Sequence, residues 1–127
     1  MRAFTSLEQS KKLAEFLPLE SADIWWAERY AGMVENYEYI VEEKPVYYLS
    51  FTKPSEENYS QDTIKDIPCW SLAALLSVLP YPHLEQNYKG KWCCRTEYAG
   101  TTYLWEADNS VDACYEMIVK LHEQKIL

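Results

Sequence analysis

Lys91-Trp92-Cys93-Cys94-Arg95-Thr96-Glu97-Tyr98-Ala99-Gly100-Thr101-Thr102-Tyr103-Leu104-Trp105-Glu106-Ala107 is the stretch that decides the fold. Two runs of alternating polar and apolar residues flank Ala99-Gly100, whose glycine can supply the positive φ of a tight hairpin. Pairing Tyr98 with Thr101 sets Thr96 opposite Tyr103, Cys94 opposite Trp105 and Trp92 opposite Ala107, which makes one apolar face. The other face pairs Glu97 with Thr102, Arg95 with Leu104 and Cys93 with Glu106, a mixed surface that faces water at least in part. A slip of one residue would scramble both faces, so the pattern specifies its own register. Upstream, Leu84 to Tyr88, turning at Lys89-Gly90, reads as a further strand of the same meander.

An apolar sheet face needs a cover, and two helical stripes supply it. Ser71 is an N-cap, with Leu72, Leu75, Leu76 and Leu79 at helical spacing before Pro80 and Pro82. Asn109, with Asp112 three residues later, opens a last helix whose stripe is Val111, Cys114, Ile118 and Leu121, with Met117 beside it. Lys120, His122 and Lys125 suit the negative end of that helix. The segment Ile67-Pro68-Cys69-Trp70-Ser71 reads as an elbow that fixes entry into the first of these helices.

The first half of the chain reads less sharply. Ser6 and Gln9 form a capping box, and Leu7, Leu13, Ala14 and Leu17 share a helical face that Pro18 ends. Ser21 and Asp23 start a second, shorter helix carrying Ile24, Trp25 and Trp26, with Gly32 to terminate it. A hairpin follows, with Tyr37, Tyr39 and Val41 on one strand, Tyr47, Leu49 and Phe51 on the other, and a joint near Lys44-Pro45. Lys53 to Gln61 is a polar loop. The whole predicts one α+β domain over residues 1–127. It has a mostly antiparallel sheet of two hairpins, the helices Leu72–Leu79 and Val111–Leu121 packed on one face, and short N-terminal helices.

Composition limits the partners. The net charge is −8 over 127 residues, which argues against nucleic acid because phosphate neutralisation needs clustered Lys and Arg. From Glu20 to Asp66 there are eleven acids against four bases, a net of −7 that accounts for nearly the whole excess. A solvated face explains such a run, and so does a surface for a basic partner. No apolar run has the length of a membrane span, and Met1-Arg2-Ala3-Phe4-Thr5 lacks the apolar stretch of a signal peptide. The reading is therefore a cytoplasmic protein away from membranes, in which Cys69, Cys93, Cys94 and Cys114 stay reduced. Adjacent Cys93 and Cys94 would point to opposite strand faces, and no Cys-x-x-Cys pair exists, so no metal site is expected.

Catalytic chemistry finds little footing. His83 and His122 have no nucleophile or acid at motif spacing, and Gly32, Gly90 and Gly100 are too dispersed for a phosphate loop. A Cys/His or carboxylate site assembled only in three dimensions stays open as an alternative, and no cofactor is implied.

Three segments together carry a resemblance. Leu17-Pro18-Leu19-Glu20-Ser21-Ala22-Asp23, Ile67-Pro68-Cys69-Trp70-Ser71-Leu72-Ala73-Ala74-Leu75-Leu76 and Val111-Asp112-Ala113-Cys114-Tyr115-Glu116-Met117-Ile118 resemble a family of small uncharacterised proteins. Members are encoded by gut bacteria of the Bacteroides group and by their phages and mobile elements. The likeness spans most of the chain in patches, with Tyr37 to Ser60 least matched. It implies a shared fold rather than a shared active site, and no activity or catalytic residue comes with it.

Many aromatics and an acidic middle without assembled chemistry point to a non-enzymatic protein-interaction domain. The surface expected to carry it is Trp25, Trp26, Tyr30, Tyr37 and Tyr39 with Glu38, Glu42 and Glu43. The second reading is an acidic immunity or anti-defence factor that blocks a basic site by presenting carboxylates in place of phosphates. The partner is a protein of unknown identity in both, and the sequence carries no signal of oligomeric state.

Overall fold

The computed structural model describes residues 3–30, 45–51 and 65–127. Among them are helices α1 (Leu7–Ala14), α2 (Leu72–Val78) and α3 (Ser110–Glu123), with strands β1 (Ile24–Tyr30), β2 (Pro45–Ser50), β3 (Lys65–Cys69), β4 (His83–Gln86), β5 (Trp92–Tyr98) and β6 (Thr101–Ala107). The strands form two three-stranded antiparallel sheets, ordered β2-β1-β3 and β4-β5-β6. The class is α+β.

The β5–β6 hairpin has the register that its sequence specifies. Thr96 faces Tyr103, Cys94 faces Trp105 and Trp92 faces Ala107. Cys94 and Thr96 are wholly buried, whereas Arg95, Glu97, Thr102, Leu104 and Glu106 on the other face are exposed. Ala99 (φ 51°) and Gly100 (φ 80°) both lie in the left-handed region, as a turn twisted to match its strands requires at both central residues. Strand β4 joins the meander with Leu84 opposite Cys94. The Asn87 side chain builds the turn into β5 by accepting from the backbone N–H of Lys89 and of Lys91, at 3.0 Å each.

Helix α3 packs on β5 and β6, and α2 packs on α3. Both caps form as read. Asn109 Oδ1 accepts from the Asp112 N–H (2.9 Å), and Ser71 Oγ accepts from the Ala74 N–H (3.2 Å). Val111, Cys114, Ile118 and Leu121 on α3 are fully buried, as is Leu75 on α2. Helix α3 ends in a Schellman arrangement. Lys125 turns left-handed (φ 60°), its N–H donates to the His122 carbonyl (2.9 Å), and the Ile126 N–H donates to the Leu121 carbonyl (2.8 Å). The α1 capping box is present, and Gln9 Nε2 reaches across to Asp112 Oδ1 (2.7 Å), tying the first helix to the last.

Two expectations are corrected. The second helix expected from Ser21 through Trp26 is instead a single 3-10 turn, Leu19–Ser21, followed by β1. Ile24-Trp25-Trp26 is β-branched and aromatic and favours a strand, and the side chains of Ser21 and Asp23, expected to start a helix, serve elsewhere. Ser21 Oγ donates to the Pro18 carbonyl (2.6 Å) and accepts from the indole N–H of Trp70 (2.9 Å). Asp23 accepts from both the backbone N–H (2.9 Å) and the hydroxyl of Ser71, at the start of α2. Likewise, the elbow at Ile67-Pro68-Cys69 is strand β3, with Pro68 opposite Trp25. Because β3 lies at the edge of its sheet, the missing N–H of Pro68 is tolerated. Trp70 follows it, fully buried.

In the first expected hairpin, Pro45–Ser50 is a strand, and the partner observed for it is β1, with Trp26 opposite Leu49. Phe51 lies just past its end and is exposed. Tyr37, Tyr39 and Val41, the terminating Gly32 and the polar loop Lys53 to Gln61 lie outside the described residues.

Candidate functional site

Of the expected interaction surface, Trp25 and Trp26 are half-buried and Tyr30 ends β1. Tyr37, Tyr39, Glu38, Glu42 and Glu43 lie outside the described residues. Because β1 is a strand, Trp25 and Trp26 project to opposite faces of its sheet and are not brought together. Trp26 packs edge-on against Phe4, with ring centroids 6.0 Å apart. Its indole N–H is buried without a hydrogen-bond partner among the described residues.

Among the described residues, no hydrogen bond joins a cysteine to a histidine. Cys69, Cys94 and Cys114 are completely buried. Burial pushes the Cys69 thiol up, against a weaker opposing hydrogen bond from Thr5. A hydrogen bond with Cys94, and then burial, push Cys114 up far more strongly. Partly exposed Cys93 is raised by desolvation and by the nearby Glu106 carboxylate. None of these three is poised as a thiolate nucleophile, which requires a cationic neighbourhood. His83 sits beside Glu85 (3.5 Å) on the wet edge of the second sheet. His122 stacks flat on Phe16, with centroids 3.8 Å apart, and its Nδ1–H donates to the Leu127 carbonyl (2.8 Å). Among the described residues, no group of three or more His, Cys, Asp or Glu side chains is placed to hold a metal ion, and no helix is long and apolar enough to cross a membrane.

Two concavities lined by described residues bear on function. The smaller, about 380 Å³, lies beside Trp105 among Lys91, Glu106, Asp108, Asp112 and Glu116. Four of its charged side chains are engaged with partners. Lys91 pairs with Asp108, and that hydrogen bond raises the Lys91 pKa. Glu106 accepts from Asn87 Nδ2 (3.3 Å), and Asp112 accepts from Asn109 Nδ2 (2.7 Å).

The larger is a cleft of about 690 Å³ between the end of α1, the 3-10 turn and α2, a volume within the range of ligand pockets. Its floor is apolar, formed by Phe16, Leu17, Pro18, Ala22, Ala74 and Val78, with Leu127 on one side. Local sequence explains its shape. Pro18 stops the chain from continuing α1 and swings it away, while Ala73 and Ala74 leave α2 without bulk beside its leucine stripe. The Phe16–His122 stack and the turn at Lys125 bring Leu127 up to form the side wall. Glu20, Ser21, Asp23 and Ser77 bring polar groups to the lining. Ser21 and Asp23 are committed as described above, and Ser77 Oγ donates to the Ala73 carbonyl (2.9 Å). Glu20 carries its carboxylate without a partner among the described residues, and no lining residue is basic.

Sequence reading does not find this cleft. Its residues come from three separated segments, and its signal is an absence of bulk at Ala73 and Ala74 rather than a motif. No family model, no curated protein and no solved structure matches the chain.

Proposed function

We propose that the protein is a non-enzymatic interaction domain and that the cleft beside α2 is where it receives a partner protein. The observation that carries this reading is that the cleft combines an apolar floor with hydroxyls already committed to holding the fold. Ser21 and Ser77 bond to backbone carbonyls, and Asp23 holds the start of α2. Such a lining can bury apolar side chains but offers no acid–base or nucleophilic pair for turnover. This moves the interaction surface from the aromatic pair on β1 to the segment Phe16–Asp23 and α2.

Ala73 gives the test. It lines the cleft yet is exposed, so Ala73→Trp fills the site from outside with little effect on packing. Peptides selected for binding from a displayed random library should shift the amide resonances of Phe16, Ala74 and Val78 and lose their affinity for Ala73→Trp. Enrichment of no peptide, or shifts mapping to the outer face of β4-β5-β6, would refute the proposal.

A further inference from the structure

The cleft also indicates the chemistry of its occupant. We infer, resting on the docking role just proposed, that it takes a short basic-flanked apolar segment of a partner protein, with a few aliphatic or aromatic side chains on the floor and Lys or Arg beside Glu20. The first ground is charge. Glu20 and Asp23 are the charged side chains of the lining, both acidic and both exposed, in a protein whose net charge is −8. A segment bearing acids would meet repulsion at the rim and in the longer-range field, whereas a basic one is steered inward. The second ground is shape. A volume of about 690 Å³ open to solvent suits a few side chains projecting from one face of a segment, with its polar side and flanks left in water.

The two carboxylates are not equivalent. Asp23 is spent on Ser71, so removing it would disturb α2, while Glu20 has no partner to lose among the described residues. Glu20→Gln therefore removes a charge without removing a hydrogen bond or ion pair among the described residues.

Fluorescence anisotropy with three matched peptides tests this. They share one Leu- and Phe-containing core and are flanked by Lys, Gln or Glu. The Lys peptide should bind best and the Glu peptide worst. Glu20→Gln should cost the Lys peptide about three- to fivefold in affinity, as for an exposed ion pair, and leave the Gln peptide unchanged. The Lys preference should shrink as salt is raised. Equal binding of all three peptides, still abolished by Ala73→Trp, would overturn the basic character of the occupant and leave the docking role standing. Binding of none, or binding indifferent to Ala73→Trp, would overturn both. Self-association of the free protein that Ala73→Trp abolishes would make a second copy the occupant and also overturn the inference.

Discussion

At the scale of single residues, the thiols show how position decides chemistry. Cys93 and Cys94 are neighbours on β5, yet strand alternation leaves one partly exposed beside Glu106 and seals the other beneath α3. Under native conditions one thiol, that of Cys93, should react promptly with a disulfide reagent, and all four should react in denaturant. Desolvation and then Glu106 hold the Cys93 pKa above its ordinary value. Its thiolate fraction at neutral pH is therefore below that of a free cysteine. The reaction should accelerate as pH rises and continue to do so beyond the pH at which a free thiol has levelled off. Prompt reaction of Cys94 or Cys114 in the folded protein would show that α3 does not seal the sheet.

At the scale of elements, the least expected device is the cap that Asp23 provides for a helix far along the chain. Ser71 serves as N-cap of α2 while donating its hydroxyl to Asp23, so the two act as one unit. Asp23→Ala and Ser71→Ala should each cost about 1–2 kcal/mol, as N-cap losses do. The double variant should cost clearly less than their sum. Additive losses in chemical denaturation would mean that the contact contributes nothing. The same pair explains what could be read in advance. The β5–β6 register, the stripe of α3 and the caps at Ser6, Ser71 and Asn109 are local patterns, complete within a few residues, and the sequence shows them plainly. Ser21 with Asp23 in the next turn imitates a local helix start before Trp25-Trp26, because the actual partner of Asp23, Ser71, is distant in sequence. The cleft was illegible for a related reason. It arises where Phe16, Ala74 and Leu127 meet, and no periodicity within one segment records such a meeting.

At the scale of the whole molecule, the core that carries stability and the cleft proposed for docking occupy different regions. The core runs along α3 against the inner face of β5 and β6, so Ile118→Ala should cost about 2–5 kcal/mol. Glu97→Ala on the exposed face should stay within about 0.5 kcal/mol of wild type. Comparable losses would mean that the two sheet faces are reversed. The cleft lies at the margin of this core, where α2 and the 3-10 turn leave apolar surface uncovered, and the central claim is that a partner covers it. Calorimetry of a cleft-selected peptide, run at several temperatures against wild type and Ala73→Trp, tests that claim most directly, because burial of apolar surface gives a negative heat-capacity change on binding. The account predicts a clearly negative change for wild type and no measurable binding to the variant. A heat-capacity change near zero, or an equally negative one retained in Ala73→Trp, would contradict it.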